Sequence, residues 1–151
     1  WNVVFIDGKP YNLDLTWDDP IGEGVTQNKR YAYFNITDEE ILKTHTFSDA
    51  SACCTATDSN YFVKPGRQFD GYNAETKTAL SNMFGGHKSG DKLDVRFSSE
   101  DAYQRAIDGL LKKEEIYRLL SIADAGKGGF STTQINYIAD DTHCVIEFIL
   151  V

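Results

Sequence analysis

The first twenty residues show the alternation of apolar and polar positions that is typical of paired β-strands. Residues 1–6 are apolar and rich in β-branched and aromatic side chains, and residues 11–16 alternate polar with apolar positions. Between them lies Asp7-Gly8, which favours a two-residue turn because glycine, and to a lesser extent Asp, accepts a positive φ. The pattern therefore predicts a β-hairpin at the start of the chain.

A two-residue turn fixes the register of this hairpin. Ile6 then pairs with Lys9, and counting outward places Asp14 opposite Trp1. Because paired residues share a face of the sheet, the Asp14 carboxylate is expected on the apolar face, where it needs a partner and the hairpin offers none nearby. Two interpretations stay open, namely a strand carboxylate bonded to the backbone or to Thr16, and a functional carboxylate.

The rest of the first half of the chain predicts shorter elements. Thr37 and Glu40 have the spacing of a capping box, in which each side chain bonds the other residue's backbone amide at the start of a helix. Pro65-Gly66 is typical of a turn. The predicted elements are a third strand, a short helix, an irregular loop and a fourth strand, at residues 31–35, 38–43, 45–60 and 61–64.

The second half of the chain predicts a unit of the order α-β-α-β-β. A Ser98–Asp101 capping box begins the longest helix, which either continues into residues 116–122 or breaks before them. A two-residue turn at Asp140-Asp141 would pair Tyr137 with Cys144 in a terminal hairpin. The predicted elements lie at residues 73–84, 92–97, 103–111, 132–139 and 142–150.

Composition indicates a folded globular chain and limits its partners. The chain has 151 residues, of which 41% are hydrophobic and 13% aromatic. Its net charge of −8 argues against nucleic acid or an anionic membrane as the main partner, because both would repel it. No apolar run approaches the ~20 residues that a membrane span requires. We therefore expect neither nucleic-acid binding nor a membrane span in this chain.

The cysteines and histidines predict no metal or redox site. Cys53 and Cys54 are adjacent and Cys144 is distant, so the spacing fits neither a zinc ribbon nor a C-x-x-C motif. One long-range disulfide and three free thiols both stay open. The three histidines have no metal-ligand spacing, and no cofactor motif is present. The acidic residues on either side of Pro20 predict a solvated turn before that proline rather than a cation site; they are Asp18, Asp19 and Glu23.

The N-terminal hairpin resembles a known family. Residues 1–20 follow the pattern WNxVxIDGKxYNxDxTWDDP, which resembles the second half of the transglutaminase-like domain in the form common in bacterial proteins. Residues 31–34, 54–55 and 60–64 resemble its downstream segments. The specific motifs span residues 1–69, and a weaker likeness continues as a C-terminal extension. The resemblance implies an α+β fold, with the antiparallel sheet of the cysteine-protease-like core in residues 1–70 and an α+β extension in residues 71–151 that shares its core.

The resemblance also implies a chemistry and a site. In the family, the Asp of D-x-T-W, here Asp14, is the third member of a Cys-His-Asp triad, and the histidine stands two residues before the Trp that corresponds to Trp1. Such a histidine would be a diagonal cross-strand neighbour of Asp14, at ~7–8 Å between backbone positions. Trp1 and Trp17 are expected in the core and in the cleft wall.

The expected function follows from this site. This chain would be the downstream fragment of a thiol-dependent acyltransferase or peptidase that acts on proteins or peptides. The fragment would be inactive alone, because it lacks the triad cysteine and histidine. The family resemblance suggests an extracytoplasmic or cell-surface location.

Two other functions stay open. The first is a non-catalytic module that binds protein or glycan at a cell surface through exposed aromatic side chains. The residues that would form its surface are Tyr31, Tyr33, Tyr61 and Tyr72. The second is a self-contained thiol–imidazole site, although no cysteine opens a helix, the usual means of lowering its pKa. Its candidate residues are Cys53, Cys54, His45 and His87.

Overall fold

The computed structural model describes residues 1–18, 31–47 and 53–151, and the chain divides into two compact units. The first unit is Trp1–Arg67 and the second is Gln68–Val151. Among the described residues there are five α-helices, one π-helix and two sheets, one antiparallel and one mixed. The chain is therefore a mixed α and β protein, as the sequence pattern predicts.

The N-terminal hairpin has the predicted register. Ile6 pairs with Lys9 and Asn2 with Leu13, and Asp7 and Gly8 have φ values of 50° and 77° in the turn. The second strand ends at Leu13 and not at residue 16, because the chain turns into a short helix there. The elements of the first unit are β1 (Asn2–Ile6), β2 (Lys9–Leu13), α1 (Leu15–Asp18), β3 (Phe34–Ile36) and α2 (Asp38–Ile41).

The third strand starts later than the sequence predicts. β3 begins at Phe34, which pairs with Leu13, while Ile36 pairs with Asn12, so Asn35 is the extra residue of a bulge in β3. The predicted capping box is confirmed, since Thr37 and Glu40 exchange side-chain to backbone hydrogen bonds at the start of α2. The first core cluster lies next to these elements and contains Ala32, Tyr33, Ile36 and Ile41, with Phe47 packed against them.

The predicted strand at residues 61–64 is wrong. This segment forms successive turns, and the Lys64 amide donates to the Asn60 carbonyl over 3.0 Å. The reason is the buried Asn60 side chain, whose oxygen accepts the Phe62 amide at 2.9 Å. A side chain that captures nearby amides offers the backbone an alternative to a strand ladder.

The second unit surrounds a larger core. Its sheet has the order β4-β5-β7-β6, in which β4 runs parallel to β5 and the other pairs are antiparallel. Leu80, Val95, Phe97 and Leu110 lie in the core between sheet and helices. The elements are β4 (Gln68–Phe69), α3 (Ala74–Phe84), β5 (Lys92–Phe97), α4 (Glu100–Ala106), the π-helix (Ile107–Lys112), α5 (Glu115–Asp124), β6 (Ile135–Asp140) and β7 (Val145–Leu150).

Most helix and strand positions of this unit match the prediction, with two local corrections. The residue that caps α4 is Ser99 and not Ser98, since the Ser99 hydroxyl accepts the Ala102 amide at 3.2 Å. The helical stretch also breaks, because Glu114 adopts a left-handed conformation with φ of 59°. α5 is thus a separate helix. No described helix is both long and apolar enough to cross a membrane.

The register of the terminal hairpin differs from the predicted one. Tyr137 pairs with Phe148 instead of Cys144, because the turn contains four residues and not two. The Asp140 carboxylate accepts the amides of Thr142 and His143 and so shapes this turn. The shift of four residues is even, so the apolar face still points to the core.

Candidate functional site

Asp14 lies at the junction between β2 and α1, where its side chain caps the helix. Its Oδ1 accepts the amides of Thr16 and Trp17 at 2.9 and 3.1 Å, which is the geometry of an N-cap residue. The Asp14 amide donates to the Tyr33 carbonyl over 3.1 Å. The side chain is only 7% exposed. Backbone and side chain are thus both held in place.

The second oxygen of Asp14 faces an imidazole. His45 Nε2 lies 3.2 Å from Asp14 Oδ2, and the Trp1 backbone nitrogen lies 3.7 Å from the same oxygen. The expectation that Asp14 has no partner nearby is therefore wrong. Sequence reasoning missed His45, because it lies 31 residues further along in a segment without periodicity. The only signal was that His45 is the sole histidine of residues 1–67.

His45 is enclosed by aromatic rings and bonded through both of its nitrogens. Its ring centroid lies 5.1, 4.5 and 5.3 Å from those of Trp1, Trp17 and Tyr33. Its Nδ1 lies 2.8 Å from the Thr44 hydroxyl oxygen. An ionised carboxylate can only accept, so Nε2 carries the proton that is donated to Asp14. Nδ1 accepts from Thr44 when the ring is neutral and donates to it when the ring is charged.

The environment of Asp14 favours the ionised carboxylate. Burial acts most strongly, and by itself it would raise the pKa of the Asp14 carboxyl. The two amide hydrogen bonds, the amino-terminal charge and the His45 hydrogen bond outweigh burial, so the pKa lies below its usual range. The site therefore presents a fixed negative charge to an imidazole. Such a pair can orient an imidazole and stabilise its charged form.

The two tryptophans flank this pair at the surface. Trp1 is 39% exposed and Trp17 is 49% exposed. The prediction that these tryptophans contribute to the core is therefore wrong. The Trp1 indole donates to Asn12 Oδ1 at 3.1 Å, and the Trp17 ring meets Tyr33 edge-on at 5.4 Å. Both rings thus lie at the surface while they hold the imidazole between them.

The cysteines form no disulfide in this structure, which is one of the two alternatives that the sequence left open. Cys54 is buried, and its amide donates to Asp38 Oδ2 at 3.0 Å. Burial, with the nearby Asp38 carboxylate, raises the pKa of the Cys54 thiol to about 11. A thiol that ionises so weakly is a poor nucleophile. This argues against Cys54 in a self-contained thiol–imidazole site, whereas Cys53 is exposed.

The predicted aromatic surface is only partly present. Tyr33 is buried, and Tyr72 packs against the core of the second unit and donates to Glu115. Tyr31 and Tyr61 stack in parallel with centroids 4.1 Å apart. A groove of about 490 Å³ lies beside Tyr61 and is lined by both apolar and polar residues.

The described residues contain no metal site. No group of three or more His, Cys, Asp or Glu side chains in these ranges could hold an ion. Asp18 does not lie in a solvated turn as predicted, because it is buried and its Oδ1 accepts the Tyr33 amide at 2.7 Å. Asp19 and Glu23 lie outside the described residues.

Comparison with known proteins gives no independent assignment. No protein-family model matches the chain, and a search of curated proteins found no significant match. The resemblance therefore rests on the residues quoted above, and the function rests on the geometry of the site.

Proposed function

We propose that residues 1–67 form the downstream part of a transglutaminase-like core in which Asp14 orients the histidine of a Cys-His-Asp triad. The observation that carries this proposal is the Asp14 carboxylate. Its Oδ1 is fixed by two backbone amides, while its Oδ2 faces a ring nitrogen of an imidazole. A triad carboxylate acts in this way, since it holds an imidazole in one orientation and stabilises its charged form.

The position of Asp14 in the hairpin supports the same role. The Trp1 backbone nitrogen lies 3.7 Å from Asp14 Oδ2. In the family that this hairpin resembles, the triad histidine stands two residues before the corresponding Trp. Two residues span at most ~7 Å of extended chain. A histidine at that position would therefore have Asp14 within reach of its side chain.

The acceptor capacity of Asp14 leaves room for this histidine. An ionised carboxylate offers about four lone-pair sites. The described donors occupy three of them, two on Oδ1 and one on Oδ2. A second imidazole can therefore bond Oδ2 without displacing His45.

The reaction would be thiol-dependent acyl transfer or hydrolysis on a protein or peptide. A cysteine thiolate attacks the substrate carbonyl, the triad histidine moves the proton, and Asp14 keeps that histidine oriented. The thiol of Cys54 does not suit the nucleophile, because its pKa is raised. In this proposal the chain by itself has no transamidase or peptidase activity.

The experiment compares this chain with a longer protein that carries it together with its natural preceding residues. Both are assayed for amine incorporation into a protein and for peptide cleavage. The proposal expects activity only in the longer protein, and no effect of Cys54→Ala there. Activity of the chain alone that disappears with Cys54→Ala would overturn the proposal and favour a self-contained thiol site.

A second candidate function is supported by a different observation. The stacked pair Tyr31 and Tyr61 lies in the first unit, and the Arg67 guanidinium covers the Tyr61 ring at 4.4 Å. The groove beside Tyr61 would suit a non-catalytic module that binds protein or glycan at a cell surface. Glycan or cell-surface binding by this chain that is lost with Tyr61→Ala but kept with Tyr137→Ala would favour this candidate. Tyr137 is a matched control, because it is an exposed tyrosine of the second unit.

A further inference from the structure

We propose that His45 is a positioning residue that fixes the direction of the Asp14 carboxylate, a role that rests on the proposed function of Asp14. Three hydrogen bonds define the plane of this carboxylate. Two come from backbone amides to Oδ1, and the third comes from His45 Nε2 to Oδ2 at 3.2 Å. Without His45, only Oδ1 of Asp14 would be held, because Oδ2 would lose the side-chain donor that the structure describes.

The surroundings of His45 suit an anchor and not a base. The Thr44 hydroxyl engages Nδ1 at 2.8 Å, Asp14 engages Nε2, and the side chain is only 9% exposed. Three aromatic rings with centroids within 5.3 Å pack around the imidazole. A general base must reach the proton that it abstracts, and here both ring nitrogens are already bonded. The arrangement instead makes the imidazole a rigid donor.

Rigid placement of Asp14 bears on catalysis. Catalytic groups depend on geometry to within a fraction of an ångström, and supporting residues supply it. The charged and titratable groups that the described contacts place near Asp14 are the amino group of Trp1, His45, Tyr33, whose carbonyl accepts the Asp14 amide, and Asp18, whose amide donates to the Asp14 carbonyl. Of these, His45 is the one whose side chain donates to the carboxylate.

The first arm of the test measures Asp14 directly in this chain. The titration of the Asp14 carboxyl is followed by carbon-13 NMR with the Trp1 amino group acetylated, which removes the amino-terminal charge as a confounding effect. His45→Phe keeps a ring in the aromatic enclosure but removes the donor. His45→Gln keeps a side-chain donor, and Thr44→Val releases only Nδ1.

The proposal expects a higher pKa of Asp14 in His45→Phe and a value closer to wild type in His45→Gln. Thr44→Val, which keeps the fold and the imidazole, should shift the nitrogen-15 resonances of the His45 ring. Removal of the donor is also measured with His45→Leu, so that the comparison stands if His45→Phe does not fold. An unchanged Asp14 titration in a folded variant that lacks the donor, His45→Phe or His45→Leu, would overturn the inference and leave His45 a purely structural residue.

The second arm measures kcat and KM of the longer protein. A lost hydrogen bond of ordinary strength predicts a fall in kcat of about 2- to 10-fold for His45→Phe, with KM unchanged and partial rescue by His45→Gln. The two proposals fail separately. Full activity of Asp14→Asn would overturn the proposed function. An inactive Asp14→Asn protein together with an unchanged kcat in His45→Phe would overturn only the role of His45.

Discussion

The π-helix of the second unit contains Gly109, which lies against the ring of Tyr72 and allows a test of the packing there. Gly109 is buried, and a Cβ atom added there would lie 2.1 Å from Tyr72 Cε1 and 2.9 Å from its Cζ. Such contacts are impossible, so Gly109→Ala must displace the Tyr72 ring. The ring is held by its hydroxyl, which donates to Glu115 at 2.5 Å.

The expected destabilisation follows from three contributions. Overpacking of a well-packed site costs about 1–3 kcal/mol. A hydrogen bond from Tyr72 to a charged carboxylate contributes about 1.5–3 kcal/mol. Alanine has a helix propensity about 1 kcal/mol better than that of glycine, which opposes these losses. Gly109→Ala should therefore lower the free energy of unfolding by about 1.5–5 kcal/mol.

The assay is urea unfolding followed by circular dichroism, because most of the described helix lies in the second unit. Tryptophan fluorescence reports on the first unit, where Trp1 and Trp17 are located. In a Tyr72→Ala background the collision is absent, so Gly109→Ala should become neutral or stabilise by up to about 1 kcal/mol. An equal cost in both backgrounds would refute the packing argument.

Three further predictions concern single side chains. Asp14→Asn should lower the free energy of unfolding in urea by less than about 1 kcal/mol, because Asn caps helices as well as Asp does. Asp14→Ala should lower it by about 2–4 kcal/mol, since this change removes the cap and leaves His45 without its acceptor. The ion pair with Lys77 is the largest of the causes that lower the pKa of the Glu115 carboxyl. The stability that this pair contributes is therefore present above the pKa of the unfolded carboxyl and is lost as pH falls through the folded pKa. Lys77→Met should reduce the loss of stability on the acid side of a plot of unfolding free energy against pH. Cys53 should react with a thiol reagent at neutral pH much faster than Cys54, and mass spectrometry of the labelled sites would check this.

The fold was predictable where local chemistry decides it. The register of the first hairpin follows from Asp7 and Gly8, because both residues adopt a positive φ in the turn. The start of α2 follows from the spacing of Thr37 and Glu40. The terminal hairpin was not predictable in this way. Its Asp140 side chain captures two amides and lengthens the turn, and Cys144 adopts a φ of 55° that its residue type does not favour.

The candidate site was predictable in one half only. Counting along the hairpin places Asp14 opposite Trp1, and the 3.7 Å distance between Asp14 Oδ2 and the Trp1 nitrogen agrees with this placement. The helix that follows Asp14 was not foreseen, because the alternating pattern continues through Thr16, although a bond from Asp14 to the backbone was one of the two open interpretations. His45 was not foreseen either, since its contact with Asp14 depends on tertiary packing of an aperiodic segment and no local pattern encodes it.

The triad role proposed for Asp14 is best tested by the kcat/KM of the longer protein with Asp14→Asn, measured beside Asp7→Asn. Asp7 is the matched control, because it is an exposed Asp in the same hairpin and Asn also tolerates its φ of 50°. We predict a fall of about 10⁴-fold for Asp14→Asn, as expected when the orienting carboxylate of a triad is lost, with the melting temperature preserved and Asp7→Asn fully active. Full activity of the folded Asp14→Asn protein, or an equal loss in both variants, would show that Asp14 does not orient a triad histidine.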